Sequence, residues 1–241
     1  MDLAEKEEEK ANEINGYAVG ILAKACREIA AIFVHFSTDY VFDGANAQGY
    51  KEDSPTHAVN SYGRSKELGE KLLVEEMEME KLEDPDLIGS LALKNPEKYP
   101  DAFREPLGHY FLIRTSWLFG KHGKNFVDTM LKLAADKKEI KVVDDQFGKP
   151  TFTLDLARQV KFLVETREYP SGIYHITNED ETSWHGFAKT ILGMYKPSVH
   201  VLPCTTEEFP RPAKRPKHSS LVNTKLPPLR SWKEALAEYL Q

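Results

Sequence analysis

Between Lys10 and Ile29 apolar residues recur at steps of three and four. Ile14, Ala18, Ile21, Leu22, Ala25 and Ile29 fall on one stripe, which predicts an amphipathic helix. The run Ile32-Phe33-Val34-His35-Phe36 is short, rich in strand formers and bounded by polar residues, so a buried strand is expected there. A polar loop from Ser37 to about Asn60 precedes a second helix, which starts near Ser61 and runs through Leu72 and Leu73 towards Glu80. The next strand is expected at Tyr110–Arg114. The order helix, strand, loop, helix, strand is that of a parallel sheet with helical crossovers, an α/β fold. Further helices are expected at Asn125–Asp136, Leu154–Glu165, Ser183–Leu192 and Ser231–Leu240, with strands at Ile140–Val143, Ile173–Thr177 and Val199–Leu202. Between the second helix and second strand, residues 77–108 are acidic at first and then broken by Pro85, Pro96, Pro100 and Pro106. That stretch reads as a surface insertion with a short helix around Leu87–Leu93.

The 241 residues are 41% hydrophobic and 29% charged, enough for one large or two small folded domains. The net charge of −6 offers no basic field for phosphate, so neither nucleic acid nor a membrane surface is an expected partner. No apolar run approaches the ~20 residues of a membrane span, and the acidic start Met1–Glu9 is unlike a signal peptide. Two cysteines, Cys26 and Cys204, make no disulfide framework and suit a reducing cytoplasm. The eight histidines are scattered without ligand spacing, so no metal is expected.

Candidate chemistry starts with Tyr62-Gly63-Arg64-Ser65-Lys66. A Tyr and a Lys four apart on a helix share a face. At about 5 Å and an effective dielectric near 20, the ammonium would favour the phenolate by roughly 3 kcal/mol, about two pKa units. That shift would make the phenol a useful acid near neutral pH. With 10 tyrosines and 23 lysines, about one such pair is expected by chance, so context decides. The context is a strand whose carboxyl end reads Ser37-Thr38-Asp39-Tyr40-Val41-Phe42-Asp43-Gly44, where open α/β sheets bind ligands.

Ser37–Gly44, then Tyr62–Lys66 followed by Glu67-Leu68-Gly69-Glu70, resembles the extended short-chain dehydrogenase/reductase family, and within it the dTDP-4-dehydrorhamnose reductases. The resemblance continues through Arg114–Gly120, Gly123–Val127, Asp145–Thr151, Gly172–Ile176, Arg215–Leu221 and a final helix containing Trp232. It implies reduction of a 4-keto sugar nucleotide by NADPH or NADH. By resemblance, Tyr62 donates the proton, Lys66 holds the nicotinamide ribose and depresses the Tyr62 pKa, and Thr38 bonds the reacting oxygen. Phe36 is expected beside the cofactor, and Asp39, Tyr40, Trp117 and Asn125 against the sugar nucleotide. The same resemblance divides the chain into a Rossmann-like part, residues 1–145, and an interleaved substrate-binding portion, residues 146–241.

One departure stands out. The 14 glycines form no G-x-G-x-x-G or G-x-x-G-x-x-G turn for a pyrophosphate, and Gly16 and Gly20 read as packing glycines in a helix. By the resemblance, the sequence starts after the family's first cofactor-binding strands, which makes the sheet an incomplete Rossmann type with an uncovered hydrophobic edge. A homodimer or a separate N-terminal fragment is then a possible partner. The rival reading is a non-catalytic sugar-nucleotide-binding or regulatory chain, similar to the regulatory subunit of methionine adenosyltransferase. The basic cluster Arg211, Lys214, Arg215 and Lys217 reads equally as a diphosphate contact or as a solvated loop.

Overall fold

A computed structural model describes residues 1–78, 109–166 and 168–241. All but the first two residues of the insertion read at 77–108, including the helix expected near Leu87–Leu93, lie outside the described residues. The centre is a three-stranded parallel sheet ordered β1 (Phe33–Thr38), β2 (Tyr110–Thr115), β7 (Gly172–His175). β2 is buried along its whole length, as a strand covered on both faces must be. On one face lie α2 (Ala18–Glu28) and α3 (Ser61–Glu78), whose Val19, Ala23, Leu73 and Met77 pack on Tyr110 and Leu112. On the other, Leu156 and Leu163 of α5 (Thr153–Thr166) pack on Phe111, Ile113 and Tyr174.

The stripe expected to bury the first helix faces outward instead. Ile14, Ile21, Leu22 and Ile29 are more than half exposed. The buried face is built from small residues, Gly16, Val19, Gly20 and Ala23, because the helix approaches α3 very closely. A Cβ on Gly16 would lie 2.6 Å from the Leu68 side chain, and one on Gly69 would lie 2.1 Å from the Asn15 carbonyl. A short α1 (Glu8–Asn12) and a π-helical turn at Glu13–Tyr17 lead into α2, so the expected single helix is broken.

The remaining helices, α4 (Phe126–Asp136), α6 (Trp184–Tyr195) and α7 (Trp232–Tyr239), enclose a second core around Phe119, Val127, Phe152, Phe187, Ile191, Trp232 and Leu236. Short strand pairs frame it: β3 (Leu118–Phe119) with β6 (Thr151–Phe152), β4 (Glu139–Val143) with β9 (His200–Cys204), and β5 (Phe147–Gly148) antiparallel to β8 (Thr182–Ser183). No helix among the described residues is long and apolar enough to cross a membrane.

Candidate active site

A cavity of about 550 Å³ opens beyond the carboxyl ends of β1 and β2. Ser37, Thr38, Asp39 and Tyr40 line it from β1, Tyr62 from α3, and Thr115, Ser116, Trp117 and Leu118 from the end of β2. Asn125, Phe126 and Trp184 close the far side, and Met1 also reaches it. Local sequence explains the approach of α3. Asn60 Oδ1 accepts from Gly63 N–H at 2.7 Å and starts the helix. A Cβ on Gly63 would stand 2.2 Å from the Tyr40 carbonyl, so only glycine lets the first turn of α3 sit against the 3₁₀ turn at Asp39–Val41. Tyr62 thereby meets Tyr40 edge-on, with ring centroids 6.1 Å apart.

The electrostatics differ from the sequence expectation. Burial and the neighbouring Asp39 push the Tyr62 phenol up, and a hydrogen bond with Thr38 only partly opposes them. Lys66 does not depress it. Its ammonium donates to the Phe36 carbonyl at 2.6 Å and lies 3.2 Å from His35 Nε2. Burial lowers Lys66 itself to about 8, with Glu70 opposing, and burial plus Lys66 lowers His35 to about 4. The ring beside Lys66 is therefore neutral at pH 7 and acts as an acceptor. Asp39 is raised to about 6 by burial, against hydrogen bonds from Ser219 and Thr38. Its Oδ1 accepts from Thr38 Oγ1 at 3.0 Å, while Oδ2 lacks a partner of good geometry among the described residues, although Ser219 is close. Ser37 Oγ and Thr115 Oγ1 are also buried without a hydrogen-bond partner among the described residues.

Trp117 forms the wall opposite. Its φ of +46° lies in the left-handed region that tryptophan rarely adopts. The indole stacks on Trp184 at 3.6 Å and 7°, and a Cβ on Gly148 would come within 2.6 Å of it.

The family described as the RmlD substrate binding domain matches residues 1–81 and 100–241. The chain belongs to the dTDP-4-dehydrorhamnose reductase family. It is 39% identical over 245 residues to the spore coat polysaccharide biosynthesis protein SpsK of Bacillus subtilis, covering 100% of this chain and 75% of that one. It is 37% identical over 241 residues to the dTDP-4-dehydrorhamnose reductase of Burkholderia thailandensis, covering 94% and 71%. Among solved structures, the dTDP-4-dehydrorhamnose reductase of Bacillus anthracis in complex with NADP superposes with a TM-score of 0.81 at 36% identity, covering 100% of this chain and 76% of that one. The chain thus spans about three quarters of the length of these relatives, and its fold is the Rossmann-like α/β fold they share.

In this member of the dTDP-4-dehydrorhamnose reductase family, the expected residues Thr38, Asp39, Tyr40, Tyr62, Trp117 and Asn125 meet in one cavity. Lys66 stands one helical turn behind Tyr62. Phe36 touches the site only through its carbonyl on Lys66, and its side chain is 46% exposed. Asn125 is committed to the fold: Oδ1 caps α4 on Asp128 N–H at 3.0 Å, and Nδ2 donates to Gly120 O and Asp128 Oδ2. Sequence reasoning missed His35, Thr115 and Trp184. Only the β1–β2 register, which sets Thr38 beside Thr115, and the indole stack reveal the last two.

Proposed function

We propose that this chain reduces the 4-keto group of dTDP-4-dehydro-6-deoxy-L-mannose with hydride from NADPH or NADH, the step that yields dTDP-L-rhamnose. The observation that carries the reading is the meeting of Thr38, Asp39 and Tyr62 in one cavity at the carboxyl end of the sheet, in a chain of this family. Thr38 turns its hydroxyl hydrogen from Asp39 Oδ1 to the C4 oxygen, and Tyr62 delivers the proton that makes that oxygen a hydroxyl. A raised pKa keeps Tyr62 protonated at neutral pH, the form a proton donor needs. When bound, the nicotinamide supplies the hydride to C4.

The residues fit the nicotinamide end of such a cofactor. The Lys66 ammonium has three donors, and the Phe36 carbonyl and His35 take two, leaving one for a ribose hydroxyl. Tyr62 and Lys66 are the residues that would hold it. A second cavity of about 530 Å³, lined by Arg211, Lys214, Arg215 and Lys217, supports the diphosphate reading of that cluster. Asp2, next to Met1 of the first cavity, accepts from Arg215 at 2.9 Å and from the Ala213 N–H at 3.2 Å, both residues of the second. The division into a Rossmann-like part, 1–145, and an interleaved substrate-binding portion, 146–241, accords with one cavity reached from both.

The rival reading, a chain that binds the sugar nucleotide without turnover, draws on the lack of a glycine-rich pyrophosphate turn in these 241 residues. A titration of the purified chain with NADPH, followed by nicotinamide fluorescence, separates the two. Micromolar binding with oxidation of NADPH by the 4-keto sugar nucleotide supports the reductase. Absence of binding up to millimolar NADPH, with dTDP-L-rhamnose still bound, favours the rival.

A further inference from the structure

Thr115 closes β2 and lies in register with Thr38 on β1. Register partners on adjacent parallel strands point to the same face about 4.8 Å apart, so two threonine side chains stand together at the mouth of the cavity that both line. Their hydroxyls differ. Thr38 Oγ1 donates to Asp39 Oδ1 and accepts from the Tyr40 N–H. Thr115 is 5% exposed, and its Oγ1 has no hydrogen-bond partner among the described residues. A buried hydroxyl left unpaired is disfavoured, so its retention beside the reacting centre calls for a partner that arrives from outside.

We propose that Thr115 Oγ1 is a substrate contact, hydrogen-bonding a hexose hydroxyl next to the carbonyl that Thr38 holds. This rests on the reading of the cavity as a 4-keto sugar nucleotide site. Placement follows from the strands: once the C4 oxygen is on Thr38, the neighbouring ring substituent falls one strand over, where Thr115 offers an uncommitted donor and acceptor. Thr115 thus fixes the orientation of the sugar ring, leaving the proton to Tyr62.

The test compares wild type with Thr115→Val, which keeps the shape and removes the hydroxyl, and with Thr115→Ser, which keeps the hydroxyl. Thermal unfolding is recorded without ligand, and dTDP-L-rhamnose and NADPH are titrated separately by calorimetry. The expected result is a melting temperature in Thr115→Val no lower than wild type, and a Kd for dTDP-L-rhamnose about tenfold weaker. NADPH affinity should be unchanged, and Thr115→Ser should bind the sugar nucleotide within about twofold of wild type. A lower melting temperature with unchanged dTDP-L-rhamnose affinity would show that the hydroxyl serves the fold and overturn the assignment. A loss confined to NADPH would move the contact to the cofactor and overturn it equally. If wild type itself fails to bind dTDP-L-rhamnose, the reading of the cavity falls, and the assignment with it. That outcome is distinct from a wild type that binds and a Thr115→Val that binds equally well, which sinks the assignment alone.

Discussion

Tyr62 holds its proton more tightly than a tyrosine in water, because burial and Asp39 disfavour the phenolate. A donor in that state is fully loaded at pH 7 and releases its proton only to a stronger base, such as the oxygen of a carbonyl receiving hydride. In the reductase reading, Tyr62→Phe should therefore lower turnover by about 10²–10⁴-fold while dTDP-L-rhamnose affinity stays within about twofold. Turnover that survives at a tenth of the wild-type rate would move the acid elsewhere. Lys66 has a different sensitivity. Its pKa, lowered to about 8, means that the ammonium is lost as pH rises through that value. NADPH affinity should accordingly weaken between about pH 7 and about pH 9.5 in wild type and be weak and flat with pH in Lys66→Met. A fluorescence titration at several pH values reads both slopes, and parallel slopes would remove Lys66 from the ribose.

At the scale of elements, the Trp117 wall depends on two neighbours far off in sequence. β5 supplies Gly148 under the indole, and the N-terminus of α6 supplies Trp184 over it. Ser183 caps that helix by accepting from the Gly186 N–H at 3.0 Å, which holds Trp184 at its first turn. Gly148→Ala should push the indole aside, costing about 1–3 kcal/mol by urea unfolding and raising the KM for the sugar nucleotide several-fold. An unchanged KM would show that the position of the indole is unimportant to binding. The same elements show what sequence reading reaches. Long periodic helices such as α4 and α5, and the apolar strands β1 and β2, were legible because local pattern decides them. The two-residue strands β3, β5, β6 and β8 carry no period, and their partners lie tens of residues away. The stripe Ile14–Ile29 misled because glycines, which score as neither face, made the closer contact with α3. Tyr62, Thr38 and Asp39 were legible through their motifs. The engagement of Lys66 with Phe36 and His35 was not, because it depends on how β1 lies against α3.

Across the whole molecule the interior carries charged and titratable groups close to the cavity. Arg114, in the central strand, is buried and bidentate on Glu70 of α3, with the closest approach at 2.6 Å. Beside it His175 is fully buried, and burial with the Arg114 charge lowers it to about 3. His35 is lowered to about 4. Unfolding frees both to bind protons near pH 6.5, so their contribution to stability is complete above that value and is lost as pH falls towards their folded pKa values. Asp39 acts in the opposite sense. Raised to about 6, it favours the fold below about pH 4 and loses that contribution as pH climbs through about 6. The lowered carboxyls Asp2, Asp43 and Asp145 act only below about pH 4. Between about pH 5 and about pH 7 the two histidines outweigh the one aspartate, and stability should rise by about 2 kcal/mol, the gain from His35 and His175 being partly offset by Asp39. In Asp39→Asn the opposing group is gone, so the rise over the same interval should steepen to about 4 kcal/mol. Urea midpoints at the two pH values, for wild type and Asp39→Asn, measure both slopes. A wild-type midpoint that is flat or falls over this interval would mean that the histidines are not held neutral. Equal slopes in the two proteins would mean that Asp39 is already ionised at pH 5.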